Sequence, residues 1–477
     1  MRGSRRPGVG YFAVLKTPGV LALAASSGVG RLGLSTTSLA LILTMASRTG
    51  SLAVAGSGTA AFALASGALA PVRGWLADRY GTAVAIGLLG TACGLGLLTI
   101  VPAYRLGTAA LIGICAATGA VTPSLGAVTK ARLSALFRSD DHARQLATSL
   151  DTVIDTAALM GGPALAGLIV SVASVEATLE TAAALIILGS IGTSVAAPMR
   201  RQRRLAPEPS ASGRHSQHVI TQPVLRQTVI AMCFAGAAIG AVEVIVPAFA
   251  IRHHDPGGSG AVLAILFGAS ALGALLYGRR RWISTLARRY RVLTVCLAAS
   301  LIPLALASDV TVLAVLIPLP GLVFGPVLIS AFLLAQQSSA ASQQNQANTW
   351  IATGNTAGAA LGLALGGLVA DKTSLTAALL SPVLLAAAGA IATMRLTSPT
   401  IEIPAGSHVP AAPGPAPLRE AGGPAGVQVG GGAVLDDNAG AQDEDPVGDR
   451  DHEQAVGDDP GGVPGEDRTQ RDLDEAL

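Results

Sequence analysis

Charged side chains are scarce in this sequence. Only 13% of its 477 residues are Asp, Glu, Lys or Arg, against about 25% in soluble domains, and the mean hydropathy is +0.55. This shortage excludes an ordinary water-soluble enzyme. The sequence also contains no Walker sequence, no His-Glu-x-x-His and no nucleophile elbow, so it offers no recognised catalytic or cofactor-binding motif. We therefore expect neither enzymatic activity nor a cofactor.

Ligands for a metal ion are equally sparse. The four cysteines lie singly in apolar runs, and no two of them have metal-binding or redox spacing, which favours buried packing roles. His253, His254 and Asp255 include two ligand types, but they lie in a short external turn without a third ligand at metal spacing. We expect no metal site.

Long apolar runs are what the sequence has in abundance. Runs of about 20 residues are long enough for an α-helix to cross a bilayer, and twelve are present. Their approximate bounds are 20–46, 52–72, 82–101, 107–129, 146–172, 179–198, 225–250, 259–278, 292–308, 310–335, 347–370 and 374–395. The predicted fold class is an all-α polytopic membrane protein with 12 transmembrane helices.

The connections between these runs predict an orientation and a division of the chain. Alternate connections carry 22 Lys and Arg residues on one side and 4 on the other, which places both termini in the cytoplasm of a cell by the positive-inside rule. The predicted parts are a cytoplasmic N-terminus (1–19), a first six-helix half (20–198), a basic cytoplasmic linker (199–224), a second half (225–395), and a disordered acidic tail rich in Pro and Gly (396–477).

The short link Arg73–Gly81 carries the first family signature. Gly74, Asp78, Arg79 and Gly81 form a Gly-x-x-x-Asp-Arg-x-Gly pattern between the second and third apolar runs. It resembles the gating loop between helices 2 and 3 of major facilitator superfamily transporters, which usually continues with two basic residues, here Thr82 and Ala83. The resemblance covers roughly residues 16–396. It implies two halves that rock about a central site, with Asp78 pairing with basic groups when one side closes.

An internal repeat supports the same architecture. Asp155-Thr-Ala, four residues, then Gly162-x-Ala-Leu-x-Gly167-Leu recurs 200 residues later with Asn355, Gly362 and Gly367 in the corresponding places. The repeat falls in the fifth and eleventh runs, which are equivalent positions of two six-helix halves. Two parallel repeats with a binding site at their interface are the expected arrangement.

Charged groups inside the apolar runs are candidates for the site, because each is costly if it faces lipid. The substrate- or proton-binding candidates are Arg31, Asp151, Asp155, Glu243 and Asn355. A carboxyl group in a membrane cavity can bind and release a proton. The alternatives are structural ion pairs, including one between Glu243 and Arg31, or, for Asp151, a position at the cytoplasmic interface.

Gly162-Pro163 in the fifth run, followed by Gly167, resembles the Gly-Pro core of the superfamily's antiporter motif, with Ala158 and Ala166 in place of two of its residues. With Gly362 and Gly367 these positions are predicted to permit close helix packing. The resemblance implies a secondary transporter in the plasma membrane that exports a drug-like or secondary metabolite by antiport with protons. Two alternatives stay open, an uptake permease or facilitator of the same fold and a transport-inactive sensor or scaffold. We expect a monomer in the lipid bilayer, with a small-molecule substrate and no nucleic-acid partner.

Overall fold

A computed structural model describes residues 14, 16–137, 140–196, 222–280, 282–339, 343–394 and 396, which belong to one compact unit. Most of the predicted linker and, apart from Leu396, the predicted tail lie outside the described residues. We number the helices α1 to α15 in chain order. Their bounds are α1 Val20–Thr49, α2 Leu52–Ala68, α3 Ala70–Tyr80, α4 Thr82–Ala103, α5 Thr108–Ala120, α6 Leu125–Leu136, α7 Asp141–Val172, α8 Val175–Val195, α9 Pro223–Arg252, α10 Gly258–Arg279, α11 Leu286–Leu301, α12 Val310–Leu316, α13 Pro318–Gln337, α14 Gln344–Lys372 and α15 Leu375–Thr393.

The number of membrane spans agrees with the prediction. Eleven helical segments are long and apolar enough to cross a membrane, and α2 with α3 makes a twelfth if this bent pair is one span. Several spans combine two helices, and short 3-10 turns at Tyr104–Leu106 and Ile302–Leu306 extend α4 and α11. The described residues contain no β-strand. The all-α, twelve-span fold class is thereby confirmed.

The segment Arg73–Gly81 is not the loop that the sequence predicted. Residues Ala70–Tyr80 form α3, which meets α2 at a bend of 49°, so Gly74, Asp78 and Arg79 are helical. Only Gly81 turns the chain, with φ at 93°, a conformation that favours glycine because it has no Cβ. The prediction was wrong because a turn was assumed wherever charge interrupted the apolar pattern.

Arg73 holds this bend together. Its Nη2 donates to the Ser66 carbonyl at 2.7 Å and its Nη1 to the Ala120 carbonyl at 3.2 Å. Both acceptors lie in the last turns of α2 and α5, where carbonyl groups lack helical partners. One guanidinium therefore caps two interrupted helices, and its side chain is buried.

We call the end of the bundle where α8 ends and α9 begins the linker end, and the opposite end, where α1 ends and α2 begins, the far end. Two pairs of helices form the most extensive contacts between the halves, α2 with α14 and α7 with α10. At Gly367 an added Cβ would collide with the Leu52 carbonyl, and at Gly167 with the Gly257 carbonyl. These glycines occupy equivalent places in the internal repeat, so the two crossings are pseudo-symmetric and both lie toward the far end.

Candidate functional site

A cavity of about 310 Å³ lies where the two halves meet. Helices α1 and α7 of the first half and α9 and α10 of the second half form its walls. The lining residues are Leu34, Ser35, Ser38, Leu39, Ile42, Leu159, Pro163, Glu243, Leu263 and Phe267. Aliphatic side chains predominate, and a few polar groups converge among them, as in small-molecule sites generally.

Glu243 is the ionisable group of this cavity. It is partly exposed on an otherwise buried stretch of α9, and its Oε2 accepts a hydrogen bond from Ser38 Oγ at 3.2 Å. That bond crosses from one half to the other. Among the residues that the structure describes, no cation forms an ion pair with Glu243.

Arg31 is paired elsewhere. Its guanidinium forms an ion pair with Asp151 and a second with Asp155, the latter at 3.4 Å between Nη1 and Oδ1. Nη1 also donates to the Asp151 carbonyl at 3.2 Å. The predicted alternative in which Arg31 pairs with Glu243 is therefore wrong. Arg31 and Ser38 are seven residues apart on α1, about 10 Å along the helix axis.

The two carboxylates that contact Arg31 have different surroundings. The side chain of Asp151 is 4% exposed and that of Asp155 is 72% exposed, although both lie on α7 within one membrane span. Asp151 is therefore buried within the bundle. A carboxylate facing lipid is costly, so we interpret the exposure of Asp155 as contact with a space that opens toward the linker end.

Asp155, Leu159 and Pro163 recur every four residues along α7, so they share one helix face. Leu159 and Pro163 line the cavity. Asp155 thus lies on the cavity face of α7, about two turns nearer to the linker end than Pro163.

Asn355 lies outside this cavity, at the contact between α9 and α14. Its carbonyl oxygen and Oδ1 lie against Gly236, where a Cβ would approach Oδ1 to 2.9 Å. The Oδ1 atom is buried without a hydrogen-bond partner among the described residues. The structure brings Arg31, Asp151 and Asp155 together, but it places Glu243 and Asn355 apart from them and from each other.

The predicted packing residues lie at close helix crossings. A Cβ on Gly162 would collide with Ser35 of α1, and one on Gly362 with the Ala237 carbonyl of α9. Pro163 lines the cavity, and its carbonyl lies against Gly260 of α10. The Gly-Pro element thereby lines the cavity and packs against α1 of its own half and α10 of the second half.

At the linker end, the residues of the gating pattern are exposed. Arg79 lies over the rings of Trp75 and Tyr80, at 5.5 and 5.8 Å from the guanidinium carbon to the ring centroids. Asp78 is exposed and makes no ion pair within the described part of the chain. A Cβ on Gly74 or Gly81 would meet no atom within 4 Å. Among the described residues, neither an ion pair of Asp78 nor close packing at Gly74 or Gly81 holds this segment against the second half.

The far end is closed by a residue that the sequence interpretation missed. Asp371, in the last turn of α14, accepts hydrogen bonds from Ser51 Oγ at 2.6 Å, the Leu52 amide at 2.8 Å and the Ala53 amide at 2.9 Å. These donors begin α2 in the other half, so Asp371 caps that helix across the interface. A carboxylate beside a lysine at the end of the eleventh apolar run, Asp371-Lys372, was the available signal in the sequence.

The cavity residues Ser35, Ser38 and Phe267 were also missed. Two serines three residues apart in the middle of an apolar helix were the signal for α1. The sequence around Phe267 contained no signal that this residue would line the cavity.

Within the described ranges, no group of three or more His, Cys, Asp or Glu side chains is placed to hold a metal ion.

Comparison with known proteins agrees with this architecture. The uncharacterized MFS-type transporter y4rN of Sinorhizobium fredii (strain NBRC 101917 / NGR234) is 26% identical over 403 residues, which cover 81% of this chain and 97% of that protein. The crystal structure of the nucleoside transporter NupG has a TM-score of 0.63 at 14% identity, covering 79% of this chain and 98% of NupG. A bacterial homologue of the iron transporter ferroportin, in an inward-facing state, has a TM-score of 0.61 at 14% identity, covering 79% of this chain and 99% of its own.

The family model described as Major Facilitator Superfamily matches residues 23–287. That range contains the gating pattern, the Gly-Pro element and all the residues that line the cavity. The chain is a multi-pass membrane protein that belongs to the major facilitator superfamily of transporters.

Proposed function

We propose that this chain is a proton-linked exporter of a small drug-like molecule or secondary metabolite. The observation that carries the proposal is Glu243, an ionisable group in a cavity between the two halves with no cationic partner among the described residues. An ionised carboxylate in apolar surroundings is costly unless it gains a proton or a cation. Glu243 can therefore take up a proton in one state of the transporter and release it in the other.

Alternating access supplies the second requirement of this function. The far end is closed by Asp371 and by the glycine crossings, and the exposure of Asp155 indicates an opening at the linker end. In the opposite state the halves rock apart at the far end and meet at the linker end. Asp78, which has no ion pair among the described residues, then accepts a basic partner from the facing half, and this pair stabilises that state. Arg31 with Asp151 and Asp155 forms a polar entrance between solvent and Glu243.

The linker end is proposed to face the cytoplasm of the cell, with the protein in the plasma membrane. The excess of Lys and Arg in the linker-end connections supports this orientation. A reporter active only in the cytoplasm should be active when fused after Met199 and inactive when fused after Arg252. The reverse pattern would overturn the orientation and, with it, the assigned direction of transport.

Everted membrane vesicles test the function. With the vesicle interior acidified, a library of anionic, neutral and cationic solutes is added outside while interior pH is followed by a fluorescent weak base. For an exporter, a transported solute enters as protons leave, so the interior becomes less acidic. A proton-coupled uptake permease would produce the opposite sign, and a transport-inactive sensor would produce no change.

The Glu243→Gln variant identifies the coupling group. Glutamine resembles the protonated carboxyl in shape but carries no exchangeable charge. We expect it to abolish gradient-driven transport, because the variant cannot exchange a proton for the solute. The matched control is Glu180→Gln, which removes an exposed carboxylate on α8 and should transport normally. Full gradient-driven transport by stable Glu243→Gln protein would exclude Glu243 as the proton site.

A further inference from the structure

The charges around the cavity favour a ligand that carries a positive charge. Arg31 is the nearest cation along α1, and Asp151 and Asp155 already neutralise it. Within the described part of the chain, Glu243 has only the Ser38 hydroxyl as a hydrogen-bond donor. A ligand that places a positive charge beside Glu243 removes the cost of the ionised form, whereas an anion adds to it.

Among the described residues, the other ionisable groups of the packed elements lie away from this position. On α9 itself, Arg226 lies in the first turn and Arg252 in the last, where Arg252 donates to the Ala370 carbonyl, and α2 carries none. α13 and α15 carry none, and α14 carries only Asp371 and Lys372, in its last turn at the far end. α10 carries only Tyr277 and Arg279, at its linker end, and α11 meets α9 through the Tyr290 hydroxyl on the Thr228 carbonyl, also at that end. One carboxylate therefore neutralises one positive charge of a ligand, and a second positive charge would find no partner among the residues that line the cavity.

The remainder of the wall determines the body of the ligand. Leu39, Ile42, Leu263 and Phe267 present aliphatic and aromatic surface, which favours apolar groups by burial. The ring of Phe267 also favours a nearby cation. A small hydrophilic cation would lose its hydration without recovering it here.

We propose that the cavity binds an amphiphilic organic monocation, with Glu243 as its counter-ion. This inference rests on the proposed exporter function, because it names the substrate class of the same cavity. When a permanent cation binds, the Glu243 carboxyl releases its proton to the solvent at the open end and the carboxylate forms an ion pair with the ligand. One charge enters as one leaves, so the exchange is electrically neutral and is driven by the pH gradient alone.

Three related phenanthridines separate charge from shape. Ethidium is a permanent monocation, phenanthridine is its uncharged parent ring system, and propidium carries a second permanent charge. Binding to the purified full-length protein in detergent is followed by fluorescence, and proton release by an indicator in weakly buffered solution. We expect ethidium to bind more tightly than either of the others. We also expect its affinity to fall, and the number of protons released to approach one per bound ion, as the pH is lowered.

Variants assign these effects to Glu243. Glu243→Gln should weaken ethidium binding by about thirtyfold or more, which corresponds to roughly 2 kcal/mol, the lower limit for removing one member of a buried charge pair. It should also abolish proton release and leave phenanthridine binding unchanged. Glu243→Asp keeps the charge and should keep proton release, so it serves where Glu243→Gln does not fold. Glu180→Gln, outside the cavity, should behave as the unmodified protein.

The outcomes separate the substrate class from the exporter function. Ethidium affinity that does not change with pH, or that survives Glu243→Gln, would overturn the monocation site. If neutral or anionic solutes drive Glu243-dependent proton flux in the vesicles while ethidium does not bind, the substrate class is wrong and the exporter function stands. If ethidium binds with proton release but no solute moves protons across the membrane, the site stands and the transport function is wrong.

Discussion

At the scale of single residues, burial separates two aspartates that the sequence presents as equals. Asp151 and Asp155 lie one helical turn apart and both contact Arg31. Spacing correctly placed them on one face of α7, but it could not indicate which of them turns into the bundle. That difference depends on the rotation of α7 against α1, which no residue of α7 alone encodes.

We predict that Asp151→Asn destabilises the protein far more than Asp155→Asn. Removing the Asp151 charge leaves buried Arg31 with one solvent-exposed partner, and breaking a buried pair costs about 3 to 5 kcal/mol. Asp155 is largely exposed, so the loss of its ion pair should cost about 1 kcal/mol or less. Thermal unfolding in detergent compares the two variants directly. Equal melting temperatures would show that Arg31 does not depend on Asp151.

At the scale of the helices, close crossings and interrupted spans determine the shape of each half. The sequence located the spans because length and apolar character are local properties. It did not reveal that α2 and α3 bend at Leu69 or that the fourth span divides into α5 and α6, because these breaks depend on carbonyl groups that a distant arginine satisfies. Arg73 was counted only as a loop charge.

Arg73→Gln should lower the melting temperature, because the carbonyls of Ser66 and Ala120 lose a charged donor. Hydrogen bonds to charged groups contribute about 1.5 to 3 kcal/mol each, and both are lost together. Arg73→Lys should rescue only part of this loss, since one ammonium lacks the fork that reaches two acceptors. The control is Arg79→Gln on the same helix, where the side chain is exposed. A fully stable Arg73→Gln protein would refute the double cap.

Two glycines provide a matched test of helix packing. Gly362→Ala would drive a methyl group into the Ala237 carbonyl of α9, so α9 and α14 must separate, and overpacking of this kind costs about 1 to 3 kcal/mol. At Gly74 a Cβ meets nothing within 4 Å in the middle of α3. Gly74→Ala should therefore be neutral or stabilise the helix by up to about 1 kcal/mol. Melting temperatures that rank the two variants in the other order would contradict the close crossing.

At the scale of the whole molecule, the repeat predicted the two halves but not which end of the bundle is closed. Equivalent helices were recognisable because Gly167 and Gly367 recur at the same place in each half. Which end is closed depends instead on contacts between the halves, and those contacts join residues far apart in sequence, such as Ser51 with Asp371. For the same reason the sequence identified Glu243 as a site candidate but could not decide whether it pairs with Arg31, which contacts Asp151 and Asp155 instead.

Asp371 should act on the balance between the two states. Its three hydrogen bonds to the start of α2 exist only while the far end is closed, so Asp371→Asn should favour the state open at that end. The group is exposed to solvent, so we expect a change of about 1 kcal/mol, or roughly fivefold in the ratio of the two populations. Spin labels at Ala173 and Ser308, which mark the far ends of the two halves, would measure this change as an increased population of longer distances.

The control for this prediction is Asp309→Asn. Asp309 also caps a helix at the far end, accepting from the amides of Thr311 at 2.8 Å and Val312 at 3.0 Å, and hydrogen bonding from the Val312 amide holds the pKa of its carboxyl below its usual value. Both of its partners belong to the same half, so losing this cap should destabilise the two states equally. The distances between the spin labels should therefore stay unchanged. An equal shift in both variants would indicate general loosening of the far end, and no shift in Asp371→Asn would mean that the glycine crossings alone keep that end closed.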